Sequence, residues 1–318
     1  MLKLNTEMPD LICPLCRDKI YASNKFVCNT CNKNFLSNNG ILDFRYSNAS
    51  LNPNRNWKIG EFDKGYKDRG DVKDHFDLAR INHIPRAVEE YRYSLVKNRL
   101  LDWINVEEGA RILDLGCGSG WFIRDMQYKL KGKRNIKYFA LDASTVNLNY
   151  LENKRLENTI GILGFAENLP FPSGYFDAIV CSDALEHLFN PKEALKEMER
   201  VLKPGGQLLI STPSKLPFLL WGAIICVPRF VKRLLLNNRS KGAYDAPLYS
   251  SKLKSLLSNS GLQINNFKNS VLLIPEFYYQ FLPDKLVSLS IKFANLFEIK
   301  YDSLNFLRLY TLVEAHKL

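Results

Sequence analysis

The chain has 318 residues, 46% of them hydrophobic, and 44 Lys and Arg against 33 Asp and Glu give a formal net charge of +11. That length accommodates one full α/β domain with additions and a sizeable core, and no run of eighteen apolar residues argues for a membrane-spanning helix. The N-terminal stretch MLKLNTEMPDLICPLC has neither the apolar run nor the cleavage site of a secretory signal, so a cytoplasmic protein is expected.

Taken in chain order, residues 1–46 are short, polar and cysteine-bearing, and 47–104 read as a linker followed by an N-terminal helical lid. Apolar positions at helical spacing (Val88, Tyr91, Leu95, Leu100, Leu101) end that second segment. Residues 105–318 alternate strand and helix. Arg111-Ile-Leu-Asp-Leu115 is a first strand, with a helix over 121–130. Ile136-Lys-Tyr-Phe-Ala-Leu141 is a second, with a helix near 146–156. Ile160-Gly-Ile-Leu163 and Asp177-Ala-Ile-Val-Cys181 are the third and fourth. A helix over 191–202, with Pro191 at its start and Lys203-Pro-Gly-Gly206 as its stop, leads to a fifth strand, Gln207-Leu-Leu-Ile-Ser-Thr212. Insertions at about 214–247 and 275–300 interrupt a further helix over 250–260, a strand-like run over 263–274 and a last strand over 307–314. Such alternation predicts an α/β fold with a doubly wound, mostly parallel sheet.

The strongest site signal is Asp114-Leu-Gly116-Cys-Gly118-Ser-Gly120, directly after the first strand. Glycines at the carboxyl edge of an open α/β sheet let backbone approach a ligand. The second and third glycines stand one residue apart, unlike the dinucleotide fingerprint. Asp142 ends the second strand, where a carboxylate can accept both hydroxyls of a ribose.

Five segments in order carry a resemblance: Ile112-Leu-Asp-Leu-Gly-Cys-Gly-Ser-Gly120, Ala140-Leu-Asp142, Gly164-Phe-Ala-Glu-Asn-Leu-Pro-Phe171, Phe176-Asp-Ala-Ile-Val-Cys-Ser-Asp-Ala-Leu-Glu-His-Leu188 and Leu202-Lys-Pro-Gly-Gly206. Together they resemble the core of class I S-adenosylmethionine-dependent methyltransferases, close to the small-molecule group that includes quinone methyltransferases. The resemblance implies a seven-stranded sheet with its last strand antiparallel. It also implies S-adenosylmethionine as cofactor, bound by Asp114, Gly116, Cys117, Gly118, Gly120, Asp142, Ala143, Ala166, Glu167 and Ser182. Asp114 and the loop would hold the methionine end, Asp142 the ribose, and Ala166 with Glu167 the adenine edge. Phe165 stands where relatives often carry Asp, and either stacks on the base or packs. His187 is the first candidate for a general base and equally a residue that orients the following helix; Asp183 is the second candidate, with Glu186, His75 and His83 behind it.

Cys13-Pro-Leu-Cys16, eleven intervening residues and Cys28-Asn-Thr-Cys31 are spaced as a four-thiolate ribbon site for structural zinc, with iron the alternative. Residues 1–50 hold six Lys and Arg against four Asp and Glu, a balance that points to a packing or dimer contact rather than a nucleic-acid grip. The basic surplus lies instead between Ser214 and Leu318, fourteen against six. A small, apolar or lipidic acceptor methylated at oxygen is expected. An RNA acceptor is the runner-up, a non-catalytic scaffold the other class, and contact with a membrane surface a minor alternative for the insertions.

Overall fold

The computed structural model describes residues 10–20, 26–35, 41–45, 86–217, 248–271, 282–300 and 308–318. The elements are β1 (Leu11–Ile12), β2 (Lys19–Ile20), β3 (Leu42–Asp43), α1 (Arg86–Trp103), β4 (Arg111–Leu115), α2 (Trp121–Lys129), β5 (Lys137–Asp142), α3 (Thr145–Lys154) and β6 (Thr159–Leu163). There follow β7 (Phe176–Ser182), α4 (Pro191–Val201), β8 (Leu202–Pro213), α5 (Ser250–Ser258), β9 (Leu262–Ser270), α6 (Asp284–Lys300) and β10 (Tyr310–Lys317).

Runs of Ile, Leu, Val and Ala buried on both faces make β4, β5 and β7 central parallel strands. The sheet order is β3-β6-β5-β4-β7-β8-β10-β9, with β10 antiparallel to both β8 and β9. Successive strand residues feed opposite faces. Leu113, Leu115, Ile179, Cys181 and Leu208 join α4, α5 and the cysteine segment in one core. Ile112, Ala140, Ala178, Val180 and Leu209 join α1, α2, α3 and α6 in the other.

Helix starts follow the local chemistry. The Ser144 hydroxyl accepts from the Asn147 amide ahead of α3, and Asn190 caps α4, whose first residue is Pro191. The apolar positions at helical spacing from Val88 to Leu101 lie on Arg86–Trp103; His75 and His83 lie outside the described residues, as do 218–247 with Cys226.

One feature departs from the seven-stranded expectation. The cysteine segment adds an eighth strand, because β3 pairs in parallel with β6 through Leu42↔Ile162 and Asp43↔Leu163. The same segment is fastened elsewhere too: the Ile12 amide donates to the Pro170 carbonyl at 3.1 Å, and Phe35 stacks on Phe44. Arg17 donates to both Glu197 carboxylate oxygens, at 3.0 and 2.9 Å, and to the Leu169 carbonyl at 3.2 Å. Burial pushes the Glu197 carboxyl up, but Arg200 and Arg17 together hold it below its ordinary range. Arg17→Ala is expected to loosen this clasp and raise hydrogen exchange in residues 10–20, with little change around β4 and β5. Equal protection in wild type and variant would show that the apolar contacts alone hold the segment.

Candidate functional site

The strand order reverses between β4 and β7, and open α/β sheets bind their ligands at such a switch point. A cavity of about 320 Å³ lies there, within the range of small-molecule sites. Its walls come from the glycine loop after β4, the end of β5, residues 164–167 after β6, residues 182–189 after β7, Arg92 and Trp121 on α1 and α2, and Tyr310 on β10.

The loop is shaped by its glycines. Gly116 has φ 74, and a Cβ there would stand 2.4 Å from the Ala184 Cβ; Gly120 has φ 75, and its Cβ would meet Leu151 at 2.0 Å. Only glycine fits both the left-handed backbone and the close approach. The amides of Gly116 and Cys117 both donate to the Leu141 carbonyl, at 2.7 and 3.1 Å, fixing the loop to the end of β5. Gly116→Ala is expected to cost about 1–3 kcal/mol through backbone strain and overpacking. A thermal midpoint equal to wild type would contradict that close packing.

Two carboxylates lie beneath the loop. Asp142 is buried; its Oδ2 accepts from the Gly118 amide at 2.8 Å, and its Oδ1 from the Ser144 amide at 2.8 Å and Asn147 Nδ2 at 3.3 Å. Burial still raises its pKa, against those three donors. Asp114 is 2% exposed, and its Oδ2 is a buried oxygen without a hydrogen-bond partner. Burial, and then the charge of Asp142, push the Asp114 carboxyl up to about 8. A buried acceptor lacking a donor beside a glycine-lined hollow suits a ligand that brings its own N–H groups.

Of the expected residues, Gly116, Gly118, Asp142, Ala143, Ala166, Glu167, Ser182, Asp183 and His187 line the cavity. Asp114, Cys117 and Gly120 adjoin these lining residues in the loop, and the Cys117 thiol is buried with its pKa raised by burial. Glu167 is also tied to the fold, its Oε1 accepting the Asn190 amide at 2.9 Å. Phe165 meets Phe189 edge to face at the cavity wall.

At the far end, Asp183 has φ 52, a left-handed conformation that Asp tolerates better than most residues. Its Oδ1 accepts from Ser211 Oγ at 2.9 Å, and Arg92 Nη1 stands 3.5 Å from its Oδ2. Arg92 also donates to the Tyr310 hydroxyl. His187 Nε2 lies 3.9 Å from Glu186 Oε1, and Thr212 Oγ1 donates to Glu186 Oε2 at 3.0 Å. Burial pushes Glu186 up to about 7, although His187 pulls it down. Arg92, Tyr310 and Thr212 are absent from the sequence-level expectations. They lie far apart in the chain, and no local pattern marks them.

The second site is the cysteine cluster, where the four sulfurs of Cys13, Cys16, Cys28 and Cys31 lie within 4.8 Å of one another. A tetrahedral ion with sulfur ligands at about 2.3 Å needs sulfurs about 3.8 Å apart, so the set fits such an ion. The two halves repeat one geometry. Arg17 and Asn32, each just after the second cysteine of its pair, have φ 66 and 52, and their amides donate to the carbonyls of Cys13 and Cys28 at 2.9 and 2.8 Å. The Asp18 amide draws Cys16 down to about 7, while the hydrogen bond to Cys16 drives Cys31 up to about 12.

An open parallel sheet with a glycine loop after its first central strand and a carboxylate ending the next defines a nucleoside-type ligand site. Residues 113–210 match the family model described as a methyltransferase domain. The chain is 32% identical to the ubiquinone biosynthesis O-methyltransferase of Dechloromonas aromatica, over 37% of this chain and 51% of that protein. It is 34% identical to the ubiquinone/menaquinone biosynthesis C-methyltransferase of Vibrio cholerae, over 39% and 48%. The chain thus spans about half the length of these relatives. Among solved structures, the complex between the Haloferax volcanii Trm112 methyltransferase activator and a methyltransferase contains a similar fold. There the TM-score is 0.52 at 18% identity, covering 77% of this chain and 98% of the matched one. Residues 113–210 thus carry a methyltransferase-type domain, and the chain is similar over that region to S-adenosylmethionine-dependent methyltransferases.

Proposed function

We propose that this protein is a cytoplasmic enzyme that transfers the methyl group of S-adenosylmethionine to a small, apolar or lipidic acceptor, at oxygen, with a structural zinc ion in the cysteine cluster. The observation that carries the cofactor assignment is the pairing of the cavity-lining Asp142 with the partnerless oxygen of Asp114 under the glycine loop. In this reading Asp142 takes the ribose hydroxyls, Asp114 and the loop take the methionine end, and residues 164–167 flank the adenine.

The bound cofactor supplies an electrophilic methyl and a leaving group that needs no proton. The chain's residues then have to align the acceptor, exclude water and remove its proton. His187 lines the cavity with Glu186 behind it, so a proton taken by the imidazole is balanced by a carboxylate 3.9 Å away. Asp183, held by Ser211 and Arg92, shares that end and orients the acceptor. His187→Ala is expected to lower kcat by about 10²–10⁴-fold while cofactor affinity changes by less than threefold. Parallel losses in affinity and rate would instead make His187 a structural residue.

The primary test is calorimetric titration with S-adenosylmethionine and S-adenosylhomocysteine, followed by transfer of labelled methyl to phenolic and quinol acceptors and to RNA. Binding of both nucleosides with transfer to the small acceptors is expected. Salt-sensitive transfer to RNA alone would replace the acceptor assignment, and no binding by folded protein would remove the cofactor assignment.

The raised pKa of Asp114 adds a pH signature. Its carboxyl is pushed from an ordinary 3.8 to about 8, so at pH 7 the free protein holds it protonated. An ammonium group placed beside it favours the carboxylate, so binding below about pH 8 releases a proton and tightens as pH rises to that value. Calorimetry in buffers of different ionisation enthalpy should show this release, and Asp114→Asn should abolish it. In the free protein the same shift works against stability: unfolding liberates the proton between about pH 4 and 8, so this contribution falls as pH rises through that window.

A further inference from the structure

Helix α6 has two apolar faces. Val287 and Ala294 are 2% and 3% exposed, and with the half-buried Ile291 they share a core with Val88, Tyr91 and Leu95 of α1. The other face carries Leu286, Leu289, Phe293 and Leu296, which are 49%, 61%, 59% and 50% exposed. Their spacing of three, four and three residues sets them in one row along the helix. Single exposed apolar side chains are ordinary, but a row of four large ones is not. Half of the eight large exposed apolar residues of the described chain lie on this one helix.

The charges beside the row indicate what covers it. Lys285 and Lys292 are exposed, seven residues apart, and fall along one flank of the row; the helix sequence holds Lys285, Lys292 and Lys300 against Asp284 and Glu298. The chain from Ser214 to Leu318 carries a surplus of eight basic residues. Another protein surface would have to match both the row and the lysines, whereas anionic lipid does so directly: acyl chains receive the apolar residues, and headgroups receive the ammonium groups reaching up from their stems. No described helix is long and apolar enough to cross a membrane, so the contact lies in the interface. α6 packs on α1, and α1 supplies Arg92 to the far end of the cavity.

We propose that the outer face of α6 docks this protein on anionic lipid bilayers, with Leu286, Leu289, Phe293 and Leu296 entering the interface and Lys285 and Lys292 meeting the headgroups. The docking does not depend on which acceptor is methylated.

The test is co-sedimentation of the full chain with phosphatidylglycerol vesicles and with phosphatidylcholine vesicles, at low and high salt. Binding to the anionic vesicles, weakened by salt and much reduced on phosphatidylcholine, is expected. Each lysine near an anionic surface contributes about fivefold in partitioning, so Lys285→Glu with Lys292→Glu should lower binding at least tenfold. Leu289→Glu with Phe293→Glu should abolish it while leaving the thermal midpoint and S-adenosylmethionine affinity unchanged. Binding unaffected by either pair, or no binding to anionic vesicles, would overturn the proposal. So would light scattering that shows a dimer dissociated by Leu289→Glu with Phe293→Glu, because a second copy would then cover the face. Vesicle binding by a protein that transfers no methyl group would leave this docking standing and remove only the proposed activity.

Discussion

Replacing Asp142 by alanine is expected to weaken S-adenosylmethionine binding at least a hundredfold without unfolding the domain. A hydrogen bond to a charged acceptor contributes about 1.5–3 kcal/mol. Two ribose hydroxyls on one carboxylate therefore account for about 3–6 kcal/mol, and about 2.7 kcal/mol already corresponds to a hundredfold in affinity. The same carboxylate accepts from the Gly118 and Ser144 amides and from Asn147, so its loss also frees the loop that cradles the ligand. Asn147→Ala separates the two effects: it removes one supporting hydrogen bond and leaves the carboxylate in place, so a loss of only several-fold is expected. Calorimetric titration of both variants, with circular dichroism as the check on folding, measures this. Unchanged affinity in Asp142→Ala would show that the ribose lies elsewhere.

The parts of this molecule legible in the sequence are those encoded locally. The runs over 111–115 and 177–181, buried on both faces, identify central parallel strands, and the glycine loop identifies the edge where a ligand sits. The antiparallel placement of the last strand came from the resemblance rather than from periodicity, and the pairings of β10 bear it out. β3 escaped because two residues carry no alternation, and its strand identity comes entirely from the β6 edge it meets. The far wall of the site escaped for a related reason. Arg92 and Tyr310 are separated by more than two hundred residues, and only closure of the sheet sets them against Asp183. Glu186 read as a weak candidate beside His187; its burial and its Thr212 partner depend on β8 lying alongside.

In the structure the cysteine segment packs against the cavity side of the fold, through the β3–β6 pairing and the Arg17 contacts. After β3 the chain places Arg45, nearly buried, where Nη1 donates to the Ala143 carbonyl at 3.0 Å while Asp43 holds the rest of the guanidinium. Ala143 lines the cavity immediately after Asp142. A path of covalent and hydrogen-bonded contacts therefore runs from the cysteines to the Asp142 end of the cavity.

Loss of metal from the cysteine cluster is accordingly expected to act on both folding and cofactor binding. Purified protein should contain one zinc or iron ion per chain, and Cys28→Ser, which removes a fully buried ligand, should abolish that content. Structural zinc sites contribute about 10–16 kcal/mol of apparent binding free energy to small modules with little core of their own. Residues 10–20, 26–35 and 41–45 should then lose hydrogen-exchange protection together, because the β3–β6 pairing, the Arg17 clasp and the Arg45 contact share the segment that a bound ion would order. Strands β4, β5 and β7 also bury residues in the core on the opposite face of the sheet and should stay protected. S-adenosylmethionine affinity should fall several-fold, and Arg45→Ala in metal-loaded protein should reproduce that fall without loss of metal. Metal-free protein with native protection across residues 10–20, 26–35 and 41–45 would show instead that packing against Leu169 and Phe171 suffices to order the segment, and the four sulfurs would then have no structural need of an ion.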